Sequence, residues 1–247
     1  MDYELGGNAA LTIASSSGLG KASATALARE GVDLVVNGRD PAKLETAVEE
    51  LRDVSTGEVV GNRGDITDPQ DVTDLVETTV EEFGRLDHLV TSAGGPPRRR
   101  FAETTDEDWY DSYDLLVMSV VRVVRESLPH LREDGGTVVS ITSRRTKEAT
   151  PSNVLSSSVR MCIPGLMKAL SRDFAPDVRA NTVRPGPFKT PRNEPETWDS
   201  KREPIPLDRV GEPREFGDVV AFLCSERSSY LTGASVPVDG GWSHSTL

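Results

Sequence analysis

The sequence predicts a doubly wound α/β domain: a parallel sheet of about seven strands with helices on both faces. Three observations predict it. Short apolar runs of strand length alternate with amphipathic segments of helix length. The connections are long enough for the helical crossovers that parallel neighbours require. The first apolar run ends in a turn of small residues, Ala14-Ser15-Ser16-Ser17-Gly18-Leu19-Gly20, that opens a helix.

Taken in order, Ala9–Ala14 reads as a buried strand and Leu19–Glu30 as a helix stopped by Gly31. Val32–Asn37 is a second strand, and Pro41 opens a helix to about Asp53, since proline suits a first turn. Glu58–Asn62 is a weaker third strand. Asp68-Pro69 begins a helix that ends near Phe83-Gly84, and Leu86–Thr91 follows as a fourth strand. Thr105–Leu131 reads as one long helix capped by Thr105. Gly136–Ser143 is a fifth strand, Asn153–Phe174 a helix, Val178–Arg184 a sixth strand, Pro213–Ser225 a helix and Ser235–Val238 the last strand. Pro164 falls inside the Asn153–Phe174 helix and predicts a kink that leaves the Arg160 carbonyl without its helical partner. The polar stretch 189–208, with four prolines, reads as a flap on the substrate side of a single domain over 1–247.

Composition narrows the function. The formal net charge is -12, which disfavours a nucleic-acid binder. Twenty-two of the 28 cations are arginine, and an acidic, lysine-poor surface suits a halophilic protein kept soluble in concentrated salt. No apolar stretch approaches the ~20 residues that cross a bilayer, no secretory signal is visible, and a cytoplasmic location is expected. Cys162 and Cys224 read as buried reduced thiols, and no metal-ligand constellation appears.

The small-residue turn after the first strand has the chemistry of a phosphate loop. Glycines admit the backbone of a diphosphate site, and the N–H groups of a helix start bind the anion. Four further segments stand in order: Gly64-Asp65-Ile66-Thr67-Asp68, Thr91-Ser92-Ala93-Gly94-Gly95, Arg184-Pro185-Gly186-Pro187-Phe188-Lys189-Thr190, and Leu231-Thr232-Gly233 with Val238-Asp239-Gly240-Gly241. Together they resemble the short-chain dehydrogenase/reductase family, including its ketoacyl-thioester-reducing members. The resemblance implies a Rossmann-type fold, a bound NAD(P), oxidation or reduction at an alcohol/carbonyl pair, and a homotetramer or homodimer. It assigns cofactor contacts to Ala14, Ser15, Ser16, Ser17, Gly18, Leu19 and Gly20, to Asp65 and Ile66, to Ser92, Ala93 and Gly94, and to Pro185, Gly186 and Thr190. Ala14 stands where the first loop glycine is expected, and is tolerable if its φ is negative. The second strand ends Asn37-Gly38-Arg39-Asp40, without the acidic residue that holds an NAD ribose. Gly38 leaves room and Arg39 can fork onto a 2′-phosphate, so NADP(H) is favoured, with NAD(H) left open.

At the reacting centre the resemblance implies a serine, a Tyr-x-x-x-Lys pair and an asparagine. Ser143 matches the serine. Ser156 stands at the tyrosine position, Arg160 at the lysine position and Leu116 at the asparagine position. The expected catalytic set is therefore Ser143 polarising a carbonyl, Arg160 holding the ribose, and Ser156 or an ordered water completing proton transfer. Losing a positioned general acid costs roughly 10²–10⁴-fold, so an inactive dinucleotide-binding or regulatory protein is the alternative. Tyr113, three residues before Leu116, reads as a packed aromatic rather than a substitute donor, and His88, His130 and His244 as structural. Arg98-Arg99-Arg100, Arg144-Arg145 and Arg160 fall in loops and a helix at the predicted mouth. They suggest a small anionic substrate, unless acids such as Glu103 or Glu148 neutralise them.

Overall fold

The strand-length apolar runs pair as seven parallel strands. In the computed structural model, which describes residues 3–193 and 195–245, these are β1 (Ala9–Thr12), β2 (Asp33–Gly38), β3 (Val59–Arg63), β4 (His88–Thr91), β5 (Gly136–Ile141), β6 (Val178–Pro185) and β7 (Ser235–Val238). Their order across the sheet is β3-β2-β1-β4-β5-β6-β7, so the winding reverses between β1 and β4. Such a reversal opens a crevice at the carboxyl ends of those two strands.

Helices cover both faces: α1 (Gly18–Arg29), α2 (Pro41–Arg52), α3 (Pro69–Phe83), α4 (Asp106–Tyr113), α5 (Ser119–Leu131), α6 (Val154–Val159), α7 (Cys162–Asp173), α8 (Trp198–Arg202) and α9 (Pro213–Cys224). Because strand side chains alternate, β1 feeds Ala10 to one core and Leu11 to the other. On the first face α1 and α9 bury Leu27, Phe216 and Val220 against Leu34 and Val36. On the second, α3, α5 and α7 bury Leu75, Val123 and Met167 against Leu89 and Val138. Fully burying one such side chain contributes about 1.5–3 kcal/mol, so these two layers set the sheet that holds the loops.

The helix starts follow local chemistry. Asp40 accepts from the Ala42 and Lys43 N–H groups, and Asp68 from that of Gln70, each ahead of a proline at the first helical position. Gly84 ends α3 in the left-handed conformation, φ 72°. Thr105 and Asp108 form a reciprocal capping box at the start of α4.

Two long helices of the sequence reading are interrupted. A single π turn, Asp114–Met118, separates α4 from α5. The helix expected over Asn153–Phe174 breaks at Arg160-Met161 into α6 and α7. Pro164 then lies in the first turn of α7, where a missing N–H leaves nothing unpaired. The Arg160 carbonyl is not orphaned, because the Ile163 N–H donates to it at 3.1 Å. The stretch 189–208 holds a 3₁₀ turn (Pro195–Thr197), α8 and the buried Ile205. Among the described residues no helix is long and apolar enough to cross a membrane, and no group of three metal-ligating side chains occurs.

Candidate active site

A cleft of about 590 Å³ opens at the winding reversal, lined from the start of α1 across β4 and β5 to the loop after β6. Its floor begins with the turn after β1. Gly18 adopts φ 61°, and Gly20 lies so close to the preceding turn that a Cβ would come within 2.6 Å of the Ala14 carbonyl oxygen. Only a side-chain-free backbone brings the first N–H groups of α1 to this surface. Ala14, Ser16, Ser17, Gly18, Leu19 and Gly20 all line the cleft.

Two expectations in this turn are corrected. Ala14 has φ 48°, not a negative φ, so it holds a left-handed conformation that disfavours a Cβ. Its N–H is held by the Asn37 side chain at 3.0 Å. Ser15 is fully buried and does not line the cleft. Its hydroxyl donates to the Thr12 carbonyl at 2.5 Å and accepts from the Thr12 hydroxyl and the Asn37 N–H. Its own N–H donates to the Asn37 carbonyl, so its N–H and hydroxyl tie β1 to β2.

The second wall carries the end of β2. The space at Gly38 is occupied by Ser16: a Cβ there would meet its hydroxyl oxygen at 2.6 Å. Arg39 lines the cleft and pairs with Asp65 at 3.3 Å, its guanidinium largely exposed. Burial raises the Asp65 pKa, but hydrogen bonds from Thr67 and Arg39 outweigh it and hold the carboxyl below the usual range. Ile66 completes this wall.

At the far side stand the residues expected to react. Ser143 follows β5, lines the cleft and accepts from the Arg145 N–H at 3.3 Å. Ser156 in α6 and Arg160 at its end face the same space, as do Ser92, Ala93, Gly94, Pro185, Gly186 and Thr190. Among the described residues the Ser156 hydroxyl has no hydrogen-bond partner. Arg160 is buried and donates to the Gly94 carbonyl at 2.8 Å and the Ala93 carbonyl at 3.5 Å. Burial, then the nearby charges of Arg192 and Arg145, lower its pKa to about 10. It remains the charged form at neutral pH.

The arginine-rich mouth divides. Arg99 pairs with Asp108 at 3.2 Å, and Arg144 pairs with Glu148 at 3.1 Å while stacking over Trp242 at 3.5 Å. Glu103 accepts the Arg100 backbone N–H rather than a side chain. Arg98, Arg145 and Arg160 line the cleft, and no carboxylate among the described residues neutralises them. Arg192, which sequence reasoning missed, joins them from the loop after β6. Its guanidinium lies where a Cβ on Gly95 would be, 2.2 Å from that position. The signal was available: an arginine two residues past Thr190, in a strand-end loop.

Other candidates fall away. Tyr113, expected as a packed aromatic, is exposed and does not line the cleft; it ends α4 immediately before the π turn. Leu116 is buried. His88 is buried between Asn8 and Thr137, each 2.9 Å from a ring nitrogen. Cys224 is buried as expected, but Cys162 is exposed at the start of α7.

A family model described as enoyl-(acyl carrier protein) reductase matches residues 13–243. The chain belongs to the short-chain dehydrogenase/reductase family. It is 32% identical to a glucose 1-dehydrogenase of Gluconobacter oxydans over 95% of this chain and 91% of that one. It is 29% identical to a 3-oxoacyl-[acyl-carrier-protein] reductase of Thermotoga maritima over 96% of this chain and 98% of that one. The crystal structure of L-sorbose reductase from Gluconobacter frateurii, complexed with NADPH and L-sorbose, superposes with a TM-score of 0.94. It is 28% identical and covers 99% of this chain and 100% of that one. The chain is thus an NAD(P)-dependent oxidoreductase of this family with the seven-stranded parallel fold the sequence predicts.

Proposed function

We propose that the chain is an NADP(H)-preferring oxidoreductase acting on an alcohol/carbonyl pair through an atypical catalytic set. The observation that carries this reading is one continuous cleft that begins at the Gly18–Gly20 backbone and ends at Ser143. A dinucleotide fits it: Gly20 leaves a cradle that a Cβ would fill, against the first N–H groups of a helix. Ser16, Ser17, Gly18, Leu19 and Gly20 hold the diphosphate in this reading, Asp65 and Ile66 the adenine side, and Ser92 to Gly94 with Pro185, Gly186 and Thr190 the nicotinamide side. When bound, the nicotinamide supplies or accepts the hydride.

Cofactor preference rests on Arg39 and Ser16. Arg39 carries a largely exposed guanidinium at the end of β2, and Ser16 places a hydroxyl against Gly38 beside it. No carboxylate follows β2 until Asp40, which caps α2. A guanidinium–phosphate fork contributes about 1.5–3 kcal/mol, or roughly ten- to hundredfold in affinity.

Ser143 polarises the carbonyl oxygen. Arg160 fixes the β4 loop through the Gly94 carbonyl and supplies positive charge beside the ribose position. Arginine does not relay a proton, so the Ser156 hydroxyl, or a water it holds, completes the transfer. A serine is a weaker acid than a phenol, and the rate falls accordingly. The partnerless Ser156 hydroxyl also favours a second reading, a dinucleotide-binding protein without turnover.

Fluorescence titration with NADPH and NADH, beside NADPH oxidation with a panel of carbonyl compounds, decides among these. NADPH is expected to bind at least about tenfold tighter. Equal or tighter NADH binding refutes the preference. Binding without turnover, not restored by Ser156→Tyr with Arg160→Lys, selects the second reading. A protein that binds neither dinucleotide ends both.

A further inference from the structure

We propose that Arg98, Arg145 and Arg192 form a receptor for an oxyanion group on the substrate, a carboxylate or a phosphate, held over the Ser143 end of the cleft. This rests on the oxidoreductase reading above and names the substrate class for it.

The receptor comes from three separate strand-end loops. Arg98 follows β4, Arg145 lies two residues past Ser143, and Arg192 two residues past Thr190. Arg192 rests its guanidinium against Gly95, one residue from the Gly94 carbonyl that holds Arg160. Two guanidinium groups therefore converge on one dipeptide, Gly94-Gly95. Arg145 donates through Nε to the Thr150 hydroxyl at 3.3 Å, and its two terminal nitrogens have no partner among the described residues.

The charge accounting is what demands an anion. The chain carries 40 acidic residues against 28 cations. Several of its arginines find carboxylates, Arg39 with Asp65, Arg99 with Asp108, Arg144 with Glu148 and Arg209 with Glu215, while Arg52, Arg63 and Arg179 donate to backbone carbonyls. Among the described residues Arg98, Arg145 and Arg192, which line one cleft, have no carboxylate partner. Burial is the first cause that lowers the pKa of Arg145, Arg160 and Arg192; neighbouring arginines follow, Arg144, Arg192 and Arg98 for Arg145, Arg192 and Arg145 for Arg160, and Arg98 for Arg192. Mutual repulsion among unneutralised cations is a standing cost that an anionic ligand removes on binding, and a fork of N–H donors suits the planar or tetrahedral oxyanion.

The dinucleotide's own diphosphate is the competing occupant, and a cofactor-loaded protein separates the two. Inorganic phosphate and acetate are titrated calorimetrically, in separate arms at constant ionic strength, into the NADPH-saturated protein. The proteins compared are the wild type, the double variant Arg98→Ala with Arg192→Ala, and Arg99→Ala as a control for bulk charge. At least one anion is expected to saturate a single site. The double variant is expected to bind it about tenfold or more weakly, and Arg99→Ala within about twofold. The responding arm tells a phosphate group from a carboxylate. No saturable anion, a loss below twofold in the double variant, or an equal loss in Arg99→Ala overturns the proposal. So does a matching loss of NADPH affinity in the double variant, which assigns the cluster to the dinucleotide. If NADPH does not bind the wild type, the oxidoreductase reading fails by itself. The same titrations on the protein alone still decide whether these arginines hold an oxyanion.

Discussion

The two ends of the sheet treat buried polar groups in opposite ways. At the amino ends, Arg179 in β6 donates to the carbonyls of Leu223, Cys224, Ser225, Ser228 and Leu231, closing the last turn of α9. Asp87 accepts from the Ala9 N–H at 2.7 Å and takes both arms of Arg85. Both nitrogens of His88 are engaged. At the carboxyl ends, Arg98, Arg145 and Arg192 face the cleft with no carboxylate partner among the described residues, the Ser156 hydroxyl has no hydrogen-bond partner among them, and Ala14 sits at φ 48°. Arg184, at the end of β6, buries Nε and Nη1 with no acceptor. The same residue type thus serves as a structural plug at one end and stands unsatisfied at the other. A folded chain tolerates unsatisfied charge where a ligand later satisfies it.

Removing one arginine from each end tests this contrast most severely. Arg179→Met strands a ring of carbonyls that includes the end of α9, and is expected to lower the unfolding free energy by about 4 kcal/mol. Arg192→Met removes a repelling neighbour and is expected to change it by no more than about 0.5 kcal/mol, in either direction. Urea unfolding of the three proteins reads both. Similar losses at the two sites would abolish the distinction.

The amino end also predicts a pH dependence. Burial pushes the His88 pKa from its ordinary 6.5 down to about 4, with Asp87 partly opposing and Arg179 and Arg85 assisting. Below pH 6.5 the unfolded chain takes up a proton that the folded chain refuses until about pH 4. Stability therefore falls as pH drops through that window. Between pH 7 and pH 5 this one group accounts for about 2 kcal/mol. The measurement is the difference between wild type and His88→Asn in urea midpoints at the two pH values. A difference that does not vary with pH would mean that His88 takes up its proton in the fold as readily as in the unfolded chain.

How far the sequence made this visible follows the same division. The alternation of strands and helices, the helix starts at Pro41, Asp68 and Thr105, and the order of the loop motifs were legible because each is local. Ser15 was misplaced because nothing in a strand end says which face the next residue turns to, and here it turns to Asn37. Tyr113, read as packed, is exposed where α4 meets the π turn at Asp114–Met118, a turn that hydrophobic spacing does not mark. The mouth arginines could be read as a group. Only the fold shows that Arg99 and Arg144 are neutralised while Arg98, Arg145 and Arg192 have no carboxylate among the described residues.

The smallest expected effect sharpens the comparison most, because one strand carries both halves of it. Ala9 begins β1, fully buried, its N–H bound to Asp87; Ala14 lies two residues past the strand's end in the left-handed region. Glycine at position 9 loses a buried methyl and gains unfolded-state entropy, so Ala9→Gly is expected to cost about 1 kcal/mol. Glycine at position 14 brings the same entropic cost but relieves the clash of Cβ with its own backbone, worth about 1–2 kcal/mol. Ala14→Gly is therefore expected to stabilise by about 0.5 kcal/mol, a rise of about 1–2 °C in Tm for a chain of this size. The two substitutions are chemically identical, and opposite signs in one thermal-unfolding series locate the strain in the phosphate loop itself. A fall in Tm for Ala14→Gly as large as that for Ala9→Gly would mean that the loop carries no such strain, and the carboxyl end would differ from the amino end in charge alone.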